Sequence, residues 1–314
     1  MFSRMHHRLQ TTDDTVHKLL ATFCRDLRLR SFSSSHELAI QAAKLFRVLP
    51  LSIFSEARFR LTEVYPHPLI ESLFTRIRHL RETINDFQNL DDAIEELAED
   101  VAHGPENISL LAASLIKPGD TILAFASDQL ALDVIRVAAK KLGNKSLHAT
   151  LMVSHNQSDT ERKTTIKMPP NVVIRYTPDS SPVSDLRTAT KALVSVEALQ
   201  YNGTIIARNG TAVIASAARR TAVPLIALAP LYTLAIENSE LAQGMKDESE
   251  NPGKVWEYEQ VCHKRSGAGM LRVWNPKWDF VKVDLVVTER GGFCPTYIKN
   301  IGKEIFGDEV RMES

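Results

Sequence analysis

A few short parts of the sequence hold residues whose type and spacing suit chemistry. Between positions 201 and 230 the chain reads YNGTIIARNGTAVIASAARRTAVPLIALAP, with Asn-Gly-Thr at 202 and again at 209. Asn-Gly favours tight turns because both residues tolerate positive φ. Asn209-Gly210-Thr211 directly precedes a small-residue helical run. The first amides of such a helix, with its dipole, suit an anion such as phosphate. Thr211 fits equally as the N-cap of that helix, with no ligand involved, and capping is the default reading. The spacing is neither GxGxxG nor GxxxxGKS/T, so the standard nucleotide fingerprints are excluded. Glu197 ends the run ALVSV, where a carboxylate can act as a base or order a loop. Ser127 follows TILAFA without a His near in sequence, which leaves a hydrolase triad unsupported. Cys294 stands near a helix start, where thiol pKa values fall, and is read here as a packing cysteine.

The elements that must position these residues divide the chain in two. Residues 1–106 read as all-helical. Val16, Leu19, Leu20, Phe23 and Leu27 share one face, and Ser34-x-x-Glu37 forms a capping box before AIQAAKLF. A helix from Pro68 to Ile84 aligns Leu69, Leu73, Ile77, Leu80 and Ile84 on one stripe and carries Arg76, Arg78 and Arg81. A further helix near LDDAIEELAEDVA turns Leu90, Ile94, Leu97 and Val101 inward. Its six carboxylates between Asp91 and Asp100 have no His among them and give no transition-metal site.

After Lys117-Pro118-Gly119-Asp120, residues 107–314 alternate strands with helices. Strands are expected at 121–126, 148–153, 172–177, 192–196, 224–229 and 283–289, with a short run at 204–206. Helices are expected at 129–142, 184–191, after Thr211, and from Pro295 to Phe306. Nearly uninterrupted apolar strands alternating with helices indicate a parallel sheet covered on both faces, with sites at the carboxyl ends of the strands. The polar stretch 237–270 reads as a surface insertion. The fold class is therefore α/β, a helical N-terminal domain followed by a Rossmann-like parallel-sheet domain.

Charge and composition narrow the function further. The 38 basic and 38 acidic residues cancel, which offers no electrostatic case for a nucleic-acid or membrane-surface binder. No apolar run approaches the roughly 20 residues of a membrane-spanning helix, and MFSRMHHRLQTTDD lacks the apolar core of a signal peptide. Three scattered cysteines suit reduced thiols in the cytosol. In that compartment the N-x-S/T triplets at Asn107, Asn144, Asn156, Asn202 and Asn209 are not glycan acceptors.

The segments VSVEALQYNGTIIARNGTAVIASAARRTAVPLIALAP and WDFVKVDLVVTERGGFCPTYIKNI resemble a known family. It joins the regulatory subunits of eukaryotic translation initiation factor 2B to sugar-phosphate aldose–ketose isomerases acting on methylthioribose 1-phosphate and ribose 1,5-bisphosphate. LIALAPLYTLA, GPENISLLAASLI, HPLIESLFTRIRHL and PTYIKNIGKEIF are most similar to the beta group of regulatory subunits. The isomerases carry a His-Cys pair and an Asp. By this resemblance the pair falls on Phe125 and Ala126, and the Asp on Glu197. The resemblance thus implies a scaffold without catalysis or cofactor, with Asn209, Gly210 and Thr211 as an inherited phosphate turn. It implies assembly with alpha, delta, gamma and epsilon subunits into a decameric exchange factor for initiation factor 2, whose phosphorylation the core senses. Loops 201–230 and 290–300 are the expected assembly surfaces. Arg76, Arg78 and Arg81 are the expected contact for initiation factor 2. An isomerase, or a sensor holding a sugar phosphate or nucleotide at the turn, is the alternative.

Overall fold

Alternate residues along the central strands enter different cores, and this period-two division builds the molecule. Leu123 and Phe125 pack on one face of the sheet, Ile122 and Ala124 on the other. The computed structural model describes residues 2–29, 32, 34–84, 86–153, 167–235, 244–255 and 273–306. The helical part comprises α1 (Phe2–Arg28), α2 (Ser35–Val48), α3 (Leu51–Val64), α4 (Pro68–Thr83) and α5 (Phe87–Ala113). The capping box expected before α2 is realised on one side, Ser34 Oγ accepting from Glu37 N at 3.1 Å. Helix α3 is an addition to the helices expected from the sequence. Pro50 precedes it, and Ile53, Phe54, Ala57 and Leu61 give it a buried stripe at helical spacing.

The main sheet takes β1 (Thr121–Phe125), β2 (Leu147–Val153), β3 (Val172–Pro178), β4 (Lys191–Ser195), β7 (Leu225–Leu228), β9 (Leu285–Thr288) and β10 (Gly291–Phe293). Its order is β10-β9-β7-β4-β1-β2-β3, parallel except for antiparallel β10. Without β10, this is the doubly wound order 3-2-1-4-5-6, which changes direction between β1 and β4. A second, antiparallel sheet joins β5 (Ala198–Leu199), β6 (Thr204–Arg208) and β8 (Trp278–Lys282) in the order β5-β6-β8. Neither β8 nor β10 is among the strands expected from the sequence.

Helix α6 (Gln129–Leu142) and the end of α5 cover one face of the main sheet. Helices α8 (Thr211–Thr221) and α9 (Ile298–Phe306) cover the other. The helix expected at 184–191 is a single turn, α7 (Pro182–Asp185). Helix α5 serves both halves of the chain. Ile94, Leu97 and Val101 join the helical core, whereas Ile108, Ala112 and Ala113 join the sheet core. The expected division between residues 106 and 107 falls inside this helix, one residue beyond Pro105. Of the expected insertion at 237–270, residues 237–243 and 256–270 lie outside the described residues; 244–255 contain two short 3-10 turns.

Candidate functional site

The turn at 209–211 forms as expected, and its anion seat is already filled from within. Gly210 has φ +98° and occupies the N-cap position of α8. Thr211 is therefore the first helical residue rather than the cap. It is buried, and its hydroxyl donates to the Arg208 carbonyl at 2.7 Å. The amides of Gly210 and Ala212 donate to one oxygen of Asp279 on β8, at 2.8 and 2.9 Å. A side-chain carboxylate thus takes the charge that the helix N-terminus attracts. Asn209 is exposed, and its amide donates to the Lys277 carbonyl, fixing the turn to β8.

At the switch point the ends of β1 and β4 are closed against each other. Asp128 accepts from Ala131 N at 3.1 Å, capping α6, and from Ser195 N at 2.7 Å; the Ser195 hydroxyl also donates to it. Burial pushes the Asp128 carboxyl up, and the Ser195 hydrogen bonds pull against that shift. Phe125 is 2% exposed, and the Arg208 guanidinium lies 4.4 Å from its ring centroid. A Cβ on Gly210 would stand 3.4 Å from the Phe125 ring, so the phenyl fills the space beside the turn. Ser127 is exposed and bonded to Arg208. Position 126 is alanine, so neither a thiol nor an imidazole stands at this strand end. Among the described residues, no group of three or more His, Cys, Asp or Glu could hold a metal ion.

Glu197 faces the helical layer instead. Ser35, the first residue of α2, donates its hydroxyl to Glu197 Oε1 at 2.5 Å. His67, at the N-cap of α4, places Nε2 3.2 Å from the same oxygen. Its Nδ1 accepts from Leu69 N at 3.2 Å, which assigns the proton to Nε2. One carboxylate from the sheet domain therefore holds the starts of two helices. Burial raises the Glu197 pKa, but the approach of His67, the Ser35 bond and the Lys277 charge more than offset this and hold it below the usual value. Beside it lies a cavity of about 320 Å³ walled by Leu27, Phe32, Leu38, Tyr65 and Trp278, with Ser34, Ser35 and Lys277 at its polar side. His67 and Ser35 are site residues that the sequence did not single out. Only the capping box marked the place where Ser35 would begin a helix.

A depressed folded-state pKa adds stability that is fully present above the unfolded value, about 4.3 for Glu. That stability is lost as pH falls through the folded value. Acid titration of Glu197→Gln is therefore expected to show a shallower loss of stability below about pH 4 than the parent chain. Parallel curves would remove the ionic role of Glu197.

The three arginines of α4 do not share an exposed face. Arg76 is only 8% exposed, and burial lowers its pKa to about 10 against the opposing pull of Glu289. Arg81 donates to the carbonyls of Phe46 and Leu49 at 3.1 and 2.8 Å and lies over the Phe54 ring. Arg78 is exposed and pairs with Glu82 at 3.6 Å. Cys294 is exposed rather than packed, and a hydrogen bond from Thr296 lowers its pKa.

A model of the initiation factor 2 subunit family matches residues 32–295, most of the chain. The chain belongs to that family. Within it, the sequence is 25% identical over 219 residues to translation initiation factor eIF2B subunit beta of Dictyostelium discoideum, covering 68% of this chain and 54% of that protein. It is also 25% identical over 221 residues to ribose 1,5-bisphosphate isomerase of Thermococcus kodakarensis, covering 69% of this chain and 66% of the isomerase. The match thus spans about half of one relative and about two thirds of the other. A chain of the tetrameric eIF2B-beta2-delta2 complex from C. thermophilum has the same fold, with a TM-score of 0.71, 17% identity, and 94% and 97% of the two chains covered. The initiation factor 2 subunit family contains both translation-factor subunits and isomerases, and the match in identity does not separate them. Among the described residues, no helix is long and apolar enough to cross a membrane.

Proposed function

We propose that the chain is a non-catalytic regulatory scaffold of the cytosolic guanine-nucleotide exchange factor for initiation factor 2. In this reading it assembles with other subunits of initiation factor 2B into a hetero-oligomer, helps to bind initiation factor 2 and senses its phosphorylation. The observation that carries it is the state of the strand ends. Phe125 and Ala126 stand where the resemblance places the isomerases' His and Cys, and the phenyl ring is buried beside the turn. Moving a proton between adjacent sugar carbons needs a positioned acid or base and a seat for the phosphate. The seat is occupied by Asp279, and Glu197 is engaged with Ser35 and His67. Isomerase relatives at equal identity make catalysis the competing reading, with Glu197 as its surviving carboxylate.

Affinity purification of the tagged chain from its own cytosol, with mass spectrometry and isomerase assays, tests the proposal. The expected result is recovery of partner subunits of initiation factor 2B and of initiation factor 2, with no turnover of ribose 1,5-bisphosphate or methylthioribose 1-phosphate. A homo-oligomer that isomerises either sugar phosphate would overturn it. For the partner surface, only Arg78 among the three arginines is suited to charge reversal, because Arg76 is buried and Arg81 is bonded within the helical layer.

A further inference from the structure

The outer strands of the two sheets are short, with one exception. Strand β10 has three residues, β5 two and β8 five, whereas β3 has seven. Strand β3 closes the main sheet at the end opposite β10, and among the described residues no strand pairs with its outer side. Its pairing with β2 runs without a bulge from Leu147↔Val172 to Val153↔Pro178. Native sheet edges are blunted by short strands, bulges, lysines or prolines. Here β3 has only Pro178 at its last position and no lysine, while Val173 and Tyr176 are more than half exposed. The cation of the strand, Arg175, is tied to Asp185 at 3.1 Å.

Hydrogen bonds at the two ends of β3 fix which backbone groups face outward. Leu147 N donates to the Asn171 carbonyl and Asp179 N to the Val153 carbonyl, so the odd-numbered residues turn their polar groups to β2. Ile174 and Tyr176 turn theirs to the open side. Val172 does so with its carbonyl, its N–H being given to Pro169. The side chains of Val172, Ile174 and Tyr176 share one face. A second copy related by a two-fold axis at Ile174 meets this edge antiparallel. Ile174 then lies opposite its own counterpart and exchanges both backbone bonds with it. Tyr176 lies opposite Val172 of the other copy, an aromatic–β-branched pair of the kind that stabilises sheets. Arg175 lies opposite Val173. Moving the axis to Arg175 would set two guanidinium groups against each other, and moving it to Val173 would set Tyr176 against Pro170, which has no N–H.

We propose that the β3 edge pairs two copies of this chain, antiparallel about Ile174, into one continuous sheet. The contact stands apart from the scaffold reading, because β3 lies at the far end of the main sheet from β10 and the 290–300 loop. One strand pair buries little surface, so the association is weak and concentration-dependent. Disulfide trapping in the purified full chain tests the register. Opposite hydrogen-bonded residues have Cα atoms about 5.5 Å apart, within disulfide range. Ile174→Cys is expected to form a covalent dimer under mild oxidation. Tyr176→Cys, whose own counterpart lies further along the strand, is expected to stay at the background of the parent chain, which has the same native cysteines. Sedimentation equilibrium of Tyr176→Lys, changed at an exposed position, is expected to show a weak association step about tenfold weaker than the parent's. Cross-linking of both cysteine variants alike or of neither, or an unchanged association step in Tyr176→Lys, would overturn the proposal and leave the edge to a different chain.

Discussion

Replacing Glu289 by Leu is expected to destabilise the fold by about 3–5 kcal/mol, because it leaves the buried Arg76 cation without its principal counter-charge. Glu289 follows β9, and its two oxygens accept from Leu231 N at 3.1 and 3.0 Å. Gly104 of α5 lies against it, where an added Cβ would come within 3.7 Å of the carboxylate. Arg76 reaches toward it from α4, with Asp100 of α5 adding a second negative charge. Burial works against the charged form of both groups, lowering Arg76 to about 10 and raising Glu289; the Glu289 charge is the main support of the Arg76 cation, whereas Glu289 is held first by its own and the Leu231 backbone amides and then by Arg76. At neutral pH Arg76 remains a cation and cannot escape by losing its proton. The melting temperature should fall by roughly 5–8 °C. The double variant Arg76→Met/Glu289→Leu should recover much of the loss, because two apolar side chains replace a pair that was costly to bury. A single Glu289→Leu variant within about 1 kcal/mol of the parent would show that the pair is not coupled.

The same pair shows where sequence reading stops. The apolar stripe of α4, Leu69, Leu73 and Ile77, is visible from spacing alone, and all three are buried. Which arginines lie off that stripe in solvent and which are buried within reach of a distant carboxylate's charge is not, because Glu289 is far away in sequence. The strands of the main sheet follow from apolar runs separated by helices. Strand β10 escapes such a pattern because Gly291-Gly292 supplies no side chains to alternate. Strand β8 escapes it because Trp278-Asp-Phe-Val-Lys is half polar and pairs only with the equally short β6. At the site, Glu197 is legible as a carboxylate at a strand end. Its partners are not, since Ser35 lies 162 positions earlier and only the packing of α2 on the sheet brings it within 2.5 Å. The turn at Asn209-Gly210-Thr211 is legible in shape but not in occupancy. The acceptor of its amides lies 67 to 69 residues downstream, on the strand that the pattern conceals.

That hidden acceptor gives a prediction in which a loss and a gain must appear together. Asp279→Ala removes the oxygen that takes the amides of Gly210 and Ala212, leaving the start of α8 uncapped in partly buried surroundings. The expected cost is about 2 kcal/mol, the upper range for loss of a helix N-cap. Asp279→Asn keeps an acceptor oxygen but no charge and should lose less. The alanine variant also vacates an anion seat formed by a glycine turn at a helix N-terminus. Inorganic phosphate should therefore raise its melting temperature by more than it raises that of the parent, since an ion bound only to the folded state stabilises by mass action. The parent supplies the control for the general salting effect of phosphate, which acts on both chains alike. Equal responses would mean that the turn cannot bind an anion even when opened, and its shape would then be explained by α8 packing alone. A larger response from the variant would make Asp279 the internal substitute for a ligand, the change that converts a phosphate turn into a fixed joint between α8 and the second sheet.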